Sequence, residues 1–331
     1  MSAWVSNLAF GVDIGGTHTR LAVVDARGHI HARRRWSTSE TQTPEELIRR
    51  LADAIRQWAV GGGAAIAQAP IGLAVPATLD ESRERVVRCV NLPFLEGQGI
   101  GNALGHRANR RVTLCTDAEA ATWAEYVARV SGDDDDPHVT RVNRFAHLRI
   151  GTGIACGAVI DGTPVRLDQD RRTHLPFLVV DDSSMALPCR CGLCGCLETI
   201  ASGAALEASA REIGFPEGLD GLQAAWRRIS APSSSRGPAD RDVVELLERT
   251  GSAVAQAIDN LVRHFQASVV CVGGGVVDRA PSLMSRAIAP FNGIARPPDA
   301  GAPGVERALL GDDAGVIGAA LLAQRSTPVG G

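Results

Sequence analysis

The stretch LAFGVDIGGTHTRLAVVD, residues 8–25, decides the fold. An apolar strand from Leu8 to Ile14 ends in the turn Gly15-Gly16-Thr17, and a second strand, Arg20 to Asp25, leads back from that turn. The first strand brings the carboxylate of Asp13 to a turn whose glycines let a ligand approach the backbone closely. Exposed N–H groups and a threonine hydroxyl are suitable donors for phosphate oxygens. The alternative interpretation is an ordinary turn between strands.

Around this stretch, the first 130 residues predict the order β-β-β-α-β-α-β-α. The third strand runs from His29 to Trp36. A helix follows Thr43, which is a typical cap residue, with Pro44 in the first turn and Glu46 three residues after the cap. The remaining predicted elements are a strand at Ile71 to Val75, a helix at Gly97 to Ala108, a strand at Val112 to Thr116 and a helix at Ala118 to Val130.

The second half of the chain repeats the opening pattern. A strand from Phe145 to Ile150 leads into the turn Gly151-Thr152-Gly153, and the strand Ile154 to Ile160 is followed by an Asp-Gly hairpin turn and the strand Thr163 to Leu167. The repeat predicts a duplicated α/β fold, with the two glycine turns facing each other across a cleft. Further elements are predicted as helices Ser202 to Ile213 and Leu219 to Ile229, a long helix capped by Asp240, a strand Ser268 to Val272 and a last helix Asp313 to Gln324.

We predict a domain boundary just before the acidic run Gly132 to Pro137, which lacks any apolar anchor. The first domain then covers residues 1–130 and is completed by the helix at 312–325, and the second covers 131–311. In the second domain the triplet Gly273-Gly274-Gly275 follows a buried strand, which is typical of close backbone contact with a flat ligand such as adenosine. A plain strand-to-helix turn is the alternative there, as a tight hairpin is for Gly151-Thr152-Gly153.

Composition excludes several classes of protein. The chain has 331 residues, a net charge of -3 and 34 basic residues, all of which are arginine. Without lysine, neither a P-loop phosphotransferase nor a pyridoxal-phosphate enzyme is possible. The charge balance argues against a nucleic-acid partner. No segment resembles a signal peptide or a membrane span, so we expect a cytoplasmic protein with no membrane partner.

Asp117 is the candidate general base. It lies between the strand Val112 to Thr116 and the following helix, where α/β proteins often place catalytic groups. A carboxylate there could accept a proton from a hydroxyl that attacks a phosphoryl group. Asp13 is too close to the phosphate turn for that task and is better suited to positioning Mg²⁺. The alternative is that Asp117 only caps the helix.

Four of the eight cysteines lie in the segment CRCGLCGC, residues 189–196. Thiolates at this density favour tetrahedral zinc, and His174 upstream can supply an imidazole. The spacing leaves open whether Cys194 is a ligand, and a redox-active or merely exposed thiol cluster is the alternative. The other four cysteines stand singly in apolar stretches and are predicted to be buried core thiols: Cys89, Cys115, Cys156 and Cys271.

From Phe10 to Ala323 the chain resembles the ROK family (repressor, open reading frame, kinase). The matching segments are GVDIGGTHTRLAVVD, CTDAEAATWAEY, GTGIACGAVIDG, CRCGLCGCLETIASG and VVCVGGGV. The resemblance implies an actin-like ATPase fold, related to ribonuclease H, with two domains flanking a cleft. It also implies a kinase for hexoses or N-acetylated amino sugars that uses ATP and Mg²⁺, carries structural Zn²⁺ and forms a homodimer or homotetramer.

By this resemblance Asp117 is the base, and the sugar-binding residues are Asn91, Asp117, His174 and Glu198. The implied zinc ligands are His174, Cys189, Cys191 and Cys196. The nucleotide would contact Asp13, Gly15, Gly16, Thr17, Gly151, Thr152, Gly153, Gly273, Gly274 and Gly275.

The chain departs from the family pattern at three places. The loop VRLDQDRRTH has Arg171 where the family has a sugar-binding glutamate, and the family often has asparagine where this chain has Thr116 and Glu119. Our hypothesis is that Glu119 replaces a lost polar contact. We predict a glucokinase-like hexose kinase, with an N-acetylated amino sugar as the alternative substrate. A sugar-sensing or binding protein with little catalysis is the alternative function. We expect no DNA-binding domain of the kind found in the family's repressors, because only about ten residues precede the first glycine turn.

Overall fold

The structure is a computed structural model that describes residues 7–61, 63–130, 142–167, 178–230, 238–281, 285 and 304–325. The chain forms two compact units. The first comprises residues 1–141, 163–173 and 312–331, and the second comprises residues 142–162 and 174–311. In the part of the chain that is described, no helix has the length and apolar character needed to cross a membrane.

A five-stranded sheet with the order β3-β2-β1-β4-β7 forms the centre of the first unit. Beside it lies a small hairpin of β5 and β6. The strands are β1 (Ala9–Ile14), β2 (His18–Val24), β3 (Ile30–Ser37), β4 (Ile71–Val75), β5 (Thr78–Leu79), β6 (Val86–Arg88) and β7 (Val112–Thr116). The helices are α1 (Pro44–Gly61), α2 (Gly63–Ala67), α3 (Ile100–Ala108) and α4 (Asp117–Val130). The α1 cap is as predicted, because the Glu46 N–H donates to Thr43 Oγ1 at 3.2 Å.

The second sheet has the order β10-β9-β8-β11-β12. Its strands are β8 (Arg144–Ile150), β9 (Ile154–Ile160), β10 (Thr163–Pro164), β11 (Val269–Gly273) and β12 (Gly304–Arg307). The helices are α5 (Glu198–Ala201), α6 (Gly203–Glu212), α7 (Leu219–Ile229), α8 (Pro238–Phe265) and α9 (Gly275–Arg279). The last helix of the chain, α10 (Ala314–Arg325), belongs to the first unit.

The two sheets confirm the duplication predicted from the glycine turns. In the first, β1 pairs antiparallel with β2 and parallel with β4. In the second, β8 pairs antiparallel with β9 and parallel with β11. Each sheet therefore has its glycine turn in the hairpin between its first two strands.

Helix α10 packs against β1, β4 and α4 in the first unit. The approach is close enough to require glycine in the strands. A Cβ atom on Gly11 would lie 1.9 Å from the carbonyl oxygen of Val316, and one on Gly72 would lie 1.7 Å from that of Ala319. Because these neighbours are backbone atoms, they could not move aside cheaply.

Three local predictions are wrong or incomplete. The strand predicted from Thr163 to Leu167 ends at Pro164, a residue without the N–H that would extend a ladder. Asp240 does not cap the long helix but lies in the first turn of α8, where it pairs with Arg228. The small β5–β6 hairpin was not predicted. The acidic run 132–137 lies outside the described residues.

Candidate functional site

In the first unit, the glycine turn after β1 is held from behind by Thr38. Its hydroxyl donates to the Gly15 carbonyl at 2.7 Å, and its N–H donates to the Thr17 carbonyl at 2.9 Å. The Gly15 N–H closes the turn by donating to the His18 carbonyl at 2.9 Å. Within the described part of the chain, the N–H groups of Gly16 and Thr17 have no acceptor. The turn thus presents two backbone donors that an anion could accept.

Asp13 precedes this turn near the end of β1. Only 4% of the residue is exposed, and Arg20 on β2 donates to its Oδ2 at 3.4 Å. Arg20 also binds Asp312 at 3.0 Å, so the arginine links β2 to the residues just before α10. A carboxylate in this position supplies the hard oxygen ligand that Mg²⁺ prefers, so the residues present fit the ion.

Asn91 lies beside the same turn. A Cβ atom on Gly16 would be 3.4 Å from the Cβ of Asn91, and both residues are exposed. The structure therefore brings a predicted sugar-binding residue next to the predicted phosphate turn within one unit.

Asp117 is the first residue of α4, directly after β7. Its Oδ1 accepts the N–H of the next residue, Ala118, at 2.9 Å. The cap of the helix is Thr116, whose Oγ1 accepts the Glu119 N–H at 3.1 Å. Thr116 is therefore the helix cap, the role considered for Asp117 as the alternative to a general base.

The sequence analysis named Thr116 and Glu119 but missed the hydrogen bonds between them and their partner Arg83. Glu119 Oε2 accepts the Thr116 N–H at 3.1 Å, which completes a reciprocal capping box, and the guanidinium of Arg83 binds both oxygens of Glu119. The spacing Thr-x-x-Glu in TDAE was a readable signal of the box. Nothing in the sequence pointed to Arg83, because it lies 36 residues away in the β5–β6 loop.

In the second unit, the turn Gly151-Thr152-Gly153 is closed by the Gly151 N–H, which donates to the Gly153 carbonyl at 2.9 Å. Within the described residues the N–H groups of Thr152 and Gly153 have no acceptor, as in the first turn. Glu198 lies against this turn, and its Oε2 accepts the Ile154 N–H at 2.9 Å. A Cβ atom on Gly153 would be 2.8 Å from the same oxygen, so glycine allows this contact.

In the triplet Gly273-Gly274-Gly275, the first two glycines are required by close packing and the third is not. A Cβ atom on Gly273 would lie 2.3 Å from the Ala308 Cβ, and one on Gly274 would lie 2.5 Å from the Ile150 carbonyl oxygen. Gly274 also has a φ of 103°, which favours glycine. A Cβ atom on Gly275 would meet no atom of the described residues within 4 Å. Of the three glycines, Gly275 is therefore the one that faces open space among the described residues.

The thiols of Cys189, Cys191 and Cys196 form a cluster in which all the Sγ atoms lie within 4.8 Å of one another. The Cys191 and Cys196 sulfur atoms are 3.5 Å apart. The loop that gathers them turns at Gly195, where φ is 70° and a Cβ atom would be 1.7 Å from the Asp181 carbonyl oxygen. Cys194 is exposed and lies outside the cluster.

The chemistry of this cluster fits zinc. Burial, followed by interactions with neighbouring thiols, raises the pKa values of Cys189 and Cys196 above the ordinary value. A cation that replaces the protons would relieve the repulsion among the thiolates. Three sulfur ligands leave one position of a tetrahedron, and the predicted fourth ligand, His174, lies outside the described residues.

The other four cysteines are not part of this cluster. Cys89, Cys115 and Cys271 are buried as predicted, whereas Cys156 is half-buried. Burial raises the pKa of Cys89 to about 11 and that of Cys156 to about 12. These thiols stay protonated at neutral pH and are poor nucleophiles.

Two five-stranded sheets of the same pairing pattern, each with a glycine turn in its first hairpin, define a duplicated α/β protein. The family model described as "ROK family" matches residues 9–326. The chain therefore belongs to the ROK family, and its fold is the actin-like ATPase fold of that family's sugar kinases.

The chain matches three relatives along nearly their full length. The chain is 26% identical to a glucokinase from Thermotoga maritima over 320 residues, covering 94% of this chain and 95% of that protein. It is 28% identical to an N-acetylmannosamine kinase from Escherichia fergusonii over 315 residues, covering 95% and 97%. The crystal structure of a ROK hexokinase from Thermus thermophilus superposes with a TM-score of 0.74 at 26% identity, covering 96% and 97%.

Proposed function

We propose that this protein is a sugar kinase that transfers the γ-phosphoryl group of ATP to a hydroxyl group of a hexose, with Asp117 as general base. The observation that carries the proposal is the position of Asp117 at the end of β7, in a helix that Thr116 caps. Its carboxylate is thus not needed to begin the helix. The relatedness to a glucokinase and to an N-acetylmannosamine kinase supports the reaction class.

In this mechanism Asp117 accepts the proton of the sugar hydroxyl as that oxygen attacks the γ-phosphorus, and the bond between the γ-phosphorus and the bridging oxygen breaks to release ADP. The N–H groups of Gly16 and Thr17, and those of the turn Gly151-Thr152-Gly153, would bind phosphate oxygens. Asp13 would position Mg²⁺, which when bound neutralises charge on the phosphates. The adenosine would lie against the segment Gly273-Gly274-Gly275, with Gly275 the closest approach.

Asn91, Asp117, His174 and Glu198 are the proposed ligands of the sugar hydroxyls. Cys189, Cys191, Cys196 and His174 are the proposed ligands of a structural zinc. The metal would fix the loop that leads into α5, at whose first residue Glu198 stands. We also propose a homodimer or homotetramer, which light scattering after size-exclusion chromatography would measure.

A coupled ADP-release assay over a panel of hexoses and N-acetylhexosamines tests the function and separates the two sugar classes. We expect turnover by the zinc-loaded parent and a loss of at least about 100-fold in kcat for Asp117→Asn. Asp53→Asn, which removes an exposed carboxylate on α1, is the matched control and should retain full activity. Zinc-loaded, folded parent protein without turnover on any sugar would refute the proposal.

A sugar sensor with little catalysis is the second candidate. The observation that favours it is that both carboxylate oxygens of Glu198, a proposed sugar ligand, already accept hydrogen bonds within the protein. The donors are the Ile154 N–H at 2.9 Å and Arg190 at 3.1 Å. Arg171 also stands where the family pattern has a sugar-binding glutamate. Calorimetry separates the candidates: sugar binding to both the parent and Asp117→Asn, without ATP turnover by the parent, identifies a sensor.

A further inference from the structure

The segment that carries Asp117 is held by a closed set of hydrogen bonds. Thr116 Oγ1 accepts the Glu119 N–H at 3.1 Å, and Glu119 Oε2 accepts the Thr116 N–H at the same distance. Asp117 lies between these two residues at the first position of α4. The backbone on both sides of the candidate base is therefore held by hydrogen bonds, one of which is made by the Glu119 side chain.

Arg83 holds that side chain in place. Its NH1 donates to Glu119 Oε2 at 2.5 Å and its NH2 donates to Oε1 at 2.7 Å, in a two-pronged arrangement that fixes the plane of the carboxylate. The exposed fractions are 13% for the Arg83 side chain and 10% for that of Glu119. In such a site the charge of Glu119 needs a partner, because burial of an unpaired carboxylate is costly.

The chain presents Arg83 in a strained conformation. Its φ is 59°, in the left-handed region that is unusual for arginine. Asp80 stabilises the loop around it: the carboxylate accepts the N–H groups of Glu84 and Arg85 at 2.8 and 2.9 Å, and the Asp80 carbonyl accepts the Arg83 N–H at 3.0 Å. Strained residues of this kind persist where the surroundings fix them, and they are common beside functional sites.

We infer that Arg83 is a positioning residue for Asp117, acting through Glu119 and the capping box. This inference rests on the proposed kinase function with Asp117 as base. Without Arg83, the Glu119 carboxylate loses its two charge-assisted hydrogen bonds and must recruit water, and its bond to the Thr116 N–H weakens. The start of α4 then loosens, and Asp117 departs from the geometry that proton transfer requires. Thr116 and Glu119, both departures from the family pattern, act together with Arg83 as one unit.

The test uses Arg83→Asn, Glu119→Gln and the double variant. Asparagine tolerates the left-handed backbone, so the loop keeps its conformation while the guanidinium is lost. We expect kcat to fall about tenfold in Arg83→Asn, with the KM for ATP within about twofold of the parent value, because misplacement affects the chemical step. The double variant should be no slower than the slower single variant, because both substitutions break the same connection.

Arg129→Asn is the matched control. Arg129 pairs with Glu125 further along α4, and the two side chains are 8% and 0% exposed. The control therefore breaks an ion pair that is at least as buried as that of Arg83 and Glu119 but lies further from Asp117 along the helix. We expect this control to lower the Tm while the kcat of the folded enzyme stays within about twofold of the parent value. Activities are compared well below the Tm of every variant. An Arg83→Asn enzyme that loses Tm but keeps the parent kcat would overturn the inference.

Hydrogen exchange gives a second readout that does not depend on turnover. The amide protons of Thr116 and Glu119 should exchange about tenfold faster in Arg83→Asn than in the parent and stay at the parent rate in Arg129→Asn. Unchanged exchange in Arg83→Asn would overturn the inference even if the parent proved inactive. An inactive parent would refute the proposed function alone, and normal kcat in Arg83→Asn beside an inactive Asp117→Asn would refute the positioning role alone.

Discussion

Replacing Gly315 by alanine tests the proposed role of Asp13. Gly315 is the second residue of α10, and a Cβ atom there would lie 2.8 Å from both Cγ and Oδ2 of Asp13 and 3.2 Å from Oδ1. Ordinary contacts begin at 3.4 Å, so the carboxylate or the helix must move by about 0.6 Å. Asp13 has little freedom to do so, because it is 4% exposed and lies within the sheet.

A shift of this size exceeds the tolerance of about 0.5 Å within which functional groups must be held. Because a misplacement of about 1 Å costs on the order of 100-fold, we expect kcat to fall about tenfold in Gly315→Ala. The Mg²⁺ concentration for half-maximal rate should rise, since the carboxylate that positions the ion has moved. The coupled ADP-release assay with a Mg²⁺ titration measures both effects.

Gly304→Ala is the control for this experiment. Among the described residues, the nearest neighbour of a Cβ atom at Gly304 would lie at 3.8 Å, an ordinary contact, so kinetics and stability should match the parent. If Gly315→Ala kept both the kcat and the Mg²⁺ dependence of the parent, the assignment of Asp13 to the ion would be refuted.

Three other predictions follow from packing, metal binding and charge. Gly318→Ala places a Cβ atom 1.6 Å from the Ala120 carbonyl oxygen. We expect the free energy of unfolding in urea to fall by about 3 kcal/mol, and a change below about 0.5 kcal/mol would contradict this close packing. We expect metal analysis to find zinc in the purified parent and to find none in Cys196→Ser, whereas full retention of zinc by the variant would exclude this ligand. Burial raises the pKa of Asp25, but hydrogen bonds from His31 and the backbone outweigh it and lower the pKa below 3.8. Asp25→Asn should therefore have a lower free energy of unfolding than the parent near neutral pH, and this difference should shrink as the pH falls below 3.8. A difference in urea unfolding that stays constant with pH would contradict this prediction.

The sequence was sufficient to predict the duplicated architecture because its signals are local. The glycine turns at 15–17 and 151–153 each lie between apolar strands, and that repeated order gave both hairpins correctly. The β5–β6 hairpin could not be predicted in the same way. Its strands, Thr78–Leu79 and Val86–Arg88, are too short for alternation to be visible.

Of the candidate site, the sequence predicted the residues that have a local signal but not the contacts between distant residues. Asp117 was recognisable from its place between a strand and a helix, but the sequence alone could not separate a base from a cap. The geometry identifies Thr116 as the cap, since its hydroxyl accepts the Glu119 N–H. The role of Asp117 as general base stays a prediction. For the glycine triplet, the sequence could not show that Gly273 and Gly274 are required by Ala308 and Ile150.

A comparison with the family pattern one position at a time does not show that Arg83, Thr116 and Glu119 depend on one another. Taken singly, Thr116 and Glu119 each look like the loss of an asparagine. A threonine cap, however, is strengthened by a carboxylate three residues later, and a carboxylate that is largely buried requires a cation. Arg83 supplies that cation from another part of the chain. The two departures are therefore parts of one arrangement that holds Asp117, and substituting either residue alone with the family's asparagine would remove the support without restoring the pattern.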